Sequence, residues 1–449
     1  MKMADAFRIL PPKDPTQMKI AATAAVLALA TTTFAQAQGP APLARLDKLP
    51  AAYLQGAQRL TKDDGELIVP SSSVRKRQEA GTRVHTNVRI LVPNASPMTS
   101  QTLRPAGLPP YAGHAYETPA TLACIYAQVT ASGGCKPDAF TTVATGGSRA
   151  IAIVDAYHYP NAQRDLAAYS AQFGLPAPTA ASFVQVNLGG TATDDGWGQE
   201  AALDIQMAHA LAPNAKIYLV EAASSSLGDM LAAVDKASEL VSASGGGEVS
   251  MSWGSDEFVG EETLDSHFKK PNVVYFASTG DAVSPSWPAV SANVVAVGGT
   301  TVARNAATLA FVAEDSWTSA GAGFSTRIAR PSFQPTSVGA TRGIPDISAV
   351  ANPETGVWVR YTFASGGSQW MIFGGTSVAA PVMAAITNAS GHFYASSAAQ
   401  NAKIYANKAI SGAFRASRTG DCGHHHAYMV GSAWNPCTGL GSANGRTHQ

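Results

Sequence analysis

From Arg149 onward the chain alternates apolar runs with segments of helical period, and this alternation restricts the fold more than any other feature. Arg149–Asp155, Ala215–Glu221, Glu248–Trp253, Val273–Ser278 and Val294–Gly298 read as buried strands, with helical patterns over Ala162–Phe173, Gln199–Leu211 and Leu227–Ser242 between them. Strands buried on both faces and joined by helices predict an α/β fold: a mostly parallel sheet with helices on both faces. In such sheets ligands gather beyond the carboxyl ends of the strands, where Asp155, Trp253 and Asp281 fall. Past Thr300 the pattern loosens. A hairpin is expected over Val357–Phe373, and Ala413–Gln449 reads as a loop-like tail folded back onto the domain.

The organisation before Arg149 differs. Residues 1–37 read as an upstream segment and an export peptide: Met18-Lys19 is a basic start, Ile20–Ala30 is apolar, and Ala35-Gln36-Ala37 offers small residues for cleavage. The apolar run is too short to anchor the chain in a bilayer. Residues 38–147, rich in Pro, Ala and Thr, form a lead-in expected to wrap the main domain at 148–449, and Arg83–Val92 within it alternates like a strand. Basic and acidic residues number 31 each, which gives no reason to expect nucleic acid or a membrane surface as partner. The four cysteines form two local pairs, Cys124 with Cys135 and Cys422 with Cys437, and neither has Cys-x-x-Cys spacing. In an exported chain this predicts two small disulfide loops.

Chemistry concentrates in Phe373-Gly374-Gly375-Thr376-Ser377-Val378-Ala379-Ala380-Pro381. Two glycines allow close approach of backbone, and Ser377 opens an apolar helix whose amides and dipole favour a developing anion. The serine reads as a nucleophile or as an ordinary helix cap. A nucleophile needs a base, and none of the ten histidines lies in the His-Gly-Thr-His helix start of subtilisin-like enzymes. Ala379 also excludes the Gly-x-Ser-x-Gly elbow of α/β-hydrolases. A different candidate is the pair Glu200 and Asp204, one helical turn apart on one face, while Leu203, Met207 and Leu211 form a buried stripe. Two such carboxylates repel each other unless they share a proton.

Taken together these residues resemble the sedolisins, the serine-carboxyl peptidases, which have a subtilisin-like fold. The resemblance runs from about Arg149 to Gly441 through the Glu200/Asp204 helix, Ser250-Met251-Ser252-Trp253-Gly254, Ser278-Thr279-Gly280-Asp281, Pro288-Ala289 with Ala296-Val297-Gly298-Gly299-Thr300, Pro345-Asp346-Ile347-Ser348 and Gly374-Gly375-Thr376-Ser377. It implies that Ser377 attacks the scissile carbonyl, that Glu200 accepts its proton, and that Asp204 orients Glu200. Asp281, held protonated, would donate to the oxyanion. Ser252, Trp253 and Gly254 would pair with a peptide or protein substrate by β-addition, with Asp155 in a supporting role. Such chemistry predicts activity in acid.

Two departures from the family pattern stand out. Its calcium site near the carboxyl terminus matches Ala416, Ser417, Gly431, Ala433 and Asn435, where the carboxylates are missing, so no cofactor is expected. The His424-His425-His426 run reads as a solvated loop. The family's long folded propeptide has no obvious counterpart in residues 38–147. The expectation is therefore an exported, secreted or periplasmic, monomeric acid endopeptidase. A histidine-based subtilisin-like protease and a non-catalytic binding protein on a peptidase scaffold are the alternatives.

Overall fold

The alternation of the sequence becomes one twisted sheet with a separate core on each face. The computed structural model describes residues 41–63, 65–94, 104–126, 128–130, 133–417, 421–422 and 434–446. The expected export peptide, the His424–His426 run, Gly431 and Ala433 lie outside the described residues. Those described belong to one compact unit.

The lead-in supplies α1 (Ala51–Leu54), β1 (Gln58–Lys62), β2 (Gly65–Val69), β3 (His85–Thr86), β4 (Arg89–Pro93) and α2 (Pro119–Ile125). There follow β5 (Ala150–Ala156), α3 (Ala162–Phe173), β6 (Phe183–Asn187), α4 (Asp195–Leu211), β7 (Lys216–Ala222), α5 (Leu227–Ala243) and β8 (Gly247–Met251). Beyond the first carboxyl ends come β9 (Trp253–Asp256), β10 (Val273–Ser278), β11 (Ser286–Trp287), β12 (Val295–Arg304), β13 (Phe311–Ser316), β14 (Gly323–Ala329), β15 (Thr341–Ile344) and β16 (Ile347–Val350). The hairpin β17 (Val357–Thr362) and β18 (Ser368–Gly374) leads directly into α6 (Thr376–Ser390), and α7 (Ser397–Asn407), β19 (Phe414–Arg415) and β20 (Ser442–Ala443) complete the order.

The main sheet has the order β19-β20-β16-β12-β10-β8-β5-β7-β6, with β13 beside β12. Its strands from β6 to β16 run parallel. Alternate residues of each strand enter different cores, as a pleat of period two requires. Ile151 and Ile153 of β5 pack with Leu203 of α4 and Val382 of α6, while Ala150, Ala152 and Val154 pack with Met230, Val234 and Val241 of α5. The expected helices and strands of this region form with boundaries moved by a few residues, α4 beginning earlier because Asp194 caps it by accepting from Trp197 N at 2.9 Å.

The single strand expected over Arg83–Val92 is two strands. β3 pairs antiparallel with β9, whereas β4 lies between β2 and β18 in a second sheet ordered β1-β2-β4-β18-β17. The chain must leave one sheet to join the other, and Asn87-Val88 is the crossing. Both expected disulfides form, Cys124–Cys135 and Cys422–Cys437. Among the described residues no helix is long and apolar enough to cross a membrane.

Two of the sequence motifs meet at one buried ion pair. Arg342 grips Asp346 with two bonds of 2.6 Å, and Asp346 also accepts from Ala296 N and from the Tyr405 hydroxyl, each at 2.9 Å. The pair thus ties β12, β15 and α7 together, and both side chains are completely buried. Removing one partner of such a pair strands the other charge in the interior. Arg342→Leu is expected to cost about 3–5 kcal/mol in urea unfolding at neutral pH, and a loss below about 1 kcal/mol would contradict this account.

Candidate active site

Three elements converge beyond the carboxyl ends of β5, β8 and β10. α4 is buried on all sides, and it carries Glu200 and Asp204 into this region with no solvent exposure. Asp155 has the same parity on β5 as Ile151 and Ile153, so it faces the core shared by α4 and α6, and it too is fully buried. Ser252 follows β8 and bridges the groups: its hydroxyl donates to Asp204 Oδ1 at 2.8 Å and lies 3.2 Å from Ser377 O. That carbonyl is free because the residue four positions on is Pro381, which has no N–H to donate in the helix. The proline of the serine motif therefore leaves a second acceptor within reach of the Ser252 hydroxyl.

Ser377 sits in the first turn of α6, preceded by Gly375 at φ 100°, a left-handed conformation that suits glycine. Its hydroxyl donates to Ser252 O at 3.1 Å. Around it the carboxyl groups are short of partners. Glu200 Oε1, Asp204 Oδ2 and both oxygens of Asp155 are buried without a hydrogen bond. Burial pushes Glu200 well above the ordinary carboxyl range; the charges of Asp204 and Asp155 push the same way, and the Ser377 hydroxyl opposes them. Burial likewise raises Asp204, against the bond from Ser252, and raises Asp155, with Asp204 and Glu221 adding to it.

Asp281 approaches from the loop after β10. Its Oδ1 accepts from Thr376 N at 2.8 Å and from Thr376 Oγ1 at 3.1 Å, and that hydroxyl in turn accepts from Gly280 N at 3.0 Å. Oδ2 lies 3.3 Å from Arg89 Nε. Burial raises Asp281 to about 6, opposed first by the Arg89 charge and then by the Thr376 bonds.

The four residues expected at the centre, Ser377, Glu200, Asp204 and Asp281, are thus brought to one place, with Asp155 behind them. Of the expected peptide-binding strand, the backbone of Trp253 and Gly254 pairs with β3, whereas the Trp253 ring turns inward, donating to Val154 O at 2.9 Å. Sequence reasoning missed Asn87, Arg89 and Thr376. Asn87 and Arg89 come from the lead-in, roughly a hundred residues from α4, with no local signal; Thr376 stood unread inside the serine motif. Among the described residues no histidine hydrogen-bonds to Ser377, Glu200 or Asp204.

The described part of the expected calcium site is a poor match for a hard cation. Ala416 has no side-chain donor, and Asn435 Oδ1 already accepts from Cys437 N and Thr438 N at 2.9 Å each. Among the described residues no three His, Cys, Asp or Glu side chains cluster as a metal site.

No protein-family model matches the chain. It is 29% identical over 331 residues to kumamolisin from Bacillus sp. (strain MN-32), a match covering 63% of this chain and 56% of kumamolisin. It is 31% identical over 180 residues to sedolisin from Pseudomonas sp. (strain 101), covering 36% and 29% respectively. The chain spans about half the length of the first relative and under a third of the second. Among solved structures, Pseudomonas sedolisin, a serine-carboxyl proteinase in complex with pseudo-iodotyrostatin, is similar with a TM-score of 0.59 at 21% identity, over 74% of this chain and 96% of that one. That likeness gives a common subtilisin-like fold, and the sequence matches make this chain similar to kumamolisin and sedolisin over part of their lengths.

Proposed function

We propose that the chain is an exported serine-carboxyl endopeptidase that works in acid. The observation that carries this reading is the convergence of one serine hydroxyl, three buried carboxyl groups whose unpaired oxygens need protons, and Asp281 beside them. A dry cluster of three carboxyls cannot ionise fully, so Glu200 and Asp204 share a proton, and one of the pair remains a base. Ser377 attacks the scissile carbonyl as Glu200 takes its proton; Glu200 then protonates the departing amine. The tetrahedral oxyanion receives Ser377 N–H and the acid proton of Asp281, and water hydrolyses the acyl-enzyme by the same steps in reverse. A peptide substrate running antiparallel to β9 would have to take the place of β3, which holds that edge in this structure. Export is supported by the amino-terminal pattern and by the two disulfides.

The non-catalytic reading is favoured by one observation, that a segment of the chain itself lies across the site. The histidine-based reading has no support in the bonds of Ser377 described above. Glu200→Gln is expected to lower kcat by about 10²- to 10⁴-fold on a denatured protein substrate, with little change in a thermal melt. A histidine-based enzyme would lose little activity from this change.

The pH dependence follows from Asp281. Only its neutral form can donate to the oxyanion, and burial places its titration at about 6, so activity should be high below that pH and fall as pH rises through it. Asp281→Asn, a neutral donor at every pH, should move the alkaline limb upward, while Asp281→Ala should lose about 10²- to 10³-fold in kcat. A wild-type profile peaking at neutral pH or above would sink these roles.

A further inference from the structure

The buried acids do not stop at Asp155. Glu221 of β7 is its register partner on the adjoining parallel strand, which puts the two Cα atoms about 4.8 Å apart. Ile217 and Leu219 enter the same core as Ile151 and Ile153, so by parity Glu221 points to the same face as Asp155. Both side chains are completely buried, yet their surroundings are opposite. Glu221 Oε1 accepts from Tyr159 N and from Gln185 Nε2, each at 2.7 Å, and His158 Nδ1 lies 2.9 Å from Oε2. Donors on both oxygens are the company of a carboxylate rather than of a neutral acid. Asp155 has no donor on either oxygen.

We propose that Glu221 is a positioning residue for the base: its carboxylate keeps the negative charge of the buried cluster off Asp155 and on the Glu200/Asp204 pair, where Ser377 needs it. The inference rests on the serine-carboxyl reading above. Three dry carboxyls that hold one charge can place it on any of them, and only a charge on the pair can take the serine proton. The charged groups facing Asp155 are Glu200 and Asp204 from α4 and Glu221 from β7. Those facing Glu221 are Asp155 from β5 and His158 from the loop after it, with the neutral donors Tyr159 N and Gln185 beside them. A fixed carboxylate on the adjoining strand repels a second charge at Asp155, so Asp155 keeps its proton and the charge settles on α4.

His158 lets this arrangement persist in acid. Its side chain is 26% exposed, so the ring exchanges protons with solvent while Glu221 stays dry. Histidine is cationic in acid, and an imidazolium against Glu221 Oε2 favours the carboxylate over the neutral acid. The charge next to Asp155 is therefore maintained from the surface, by a residue that touches neither Ser377 nor the Glu200/Asp204 pair. Tyr159 N and Gln185 Nε2 supply the rest of its stabilisation at every pH.

The test is steady-state kinetics of the full chain on a denatured protein substrate from about pH 3 to about pH 6, beside difference infrared spectra of its neutral carboxyl groups. Glu221→Gln should lower kcat about tenfold with KM changed less than about twofold, because a neighbouring charge moves a carboxyl by about one pH unit. Asp155→Asn makes that position neutral at every pH, so adding Glu221→Gln to it should change kcat by less than about twofold. His158→Gln keeps an amide donor and loses the acid cation, so its loss of kcat should be smaller and confined to the acid end. In the infrared, the band that Asp155→Asn removes should titrate about one pH unit lower in Glu221→Gln than in wild type. The inference is overturned if Glu221→Gln leaves kcat unchanged, or if it costs as much in the Asp155→Asn background as alone, which is the mark of a structural role. Should Glu221→Gln fail to fold in a thermal melt, His158→Gln decides, and an unchanged acid profile there overturns the inference. If wild type leaves the added protein intact throughout, the peptidase reading itself fails; an Asp155 band that ignores Glu221→Gln sinks only the role of Glu221.

Discussion

The site depends on carboxyl groups that the interior cannot tolerate as ions. Asp155, Glu200 and Asp204 are each completely buried, and four of their oxygens have no hydrogen-bond donor. Removing carboxylates from water costs far more than the fold can supply, and placing them side by side adds repulsion, so protons must fill the gap. Their folded-state titrations lie above those of the unfolded chain, so the cluster costs least in acid and progressively more as pH rises. The same physics that strains the fold at high pH favours shared protons within the cluster in acid.

Asp281 is governed by a different balance. Burial raises it, but Arg89 and the Thr376 amide and hydroxyl hold it down, leaving its titration at about 6. One of its partners belongs to the serine helix and another to the lead-in, so the position of the lead-in and the protonation of the acid are linked. Seen this way, β4 has two functions in one strand: it completes the sheet that delivers β18 to Ser377, and it carries the charge that addresses Asp281. Neither depends on the lead-in forming a domain of its own.

The geometry of Ser377 comes from local rules applied at one turn. Gly375 takes the positive φ that ends β18 and starts α6, and any side chain there would strike the Asn87 carbonyl. Pro381 leaves Ser377 O without its helical donor, and the Ser252 hydroxyl, which donates to Asp204, lies within 3.2 Å of that carbonyl. Two backbone details of the serine motif, at Gly375 and Pro381, and the Ser252 hydroxyl therefore link the serine helix to the carboxylate helix.

Much of this was legible in order along the chain. Uninterrupted apolar strands alternating with helical segments could only be buried on both faces, which determined the parallel sheet, and the i to i+4 spacing put Glu200 and Asp204 on one face of α4. The cysteine spacings determined the two disulfides. What the sequence alone left open was everything that depends on a contact between distant segments. Arg83–Val92 has the alternation of one strand, yet tertiary pairing splits it, because β9 competes for its first half and β18 for its second. The presence of Asn87 and Arg89 beside Ser377, and the inward turn of the Trp253 ring, have no local cause. A side chain's pattern reports which face is buried; only the closed fold decides what it is buried against.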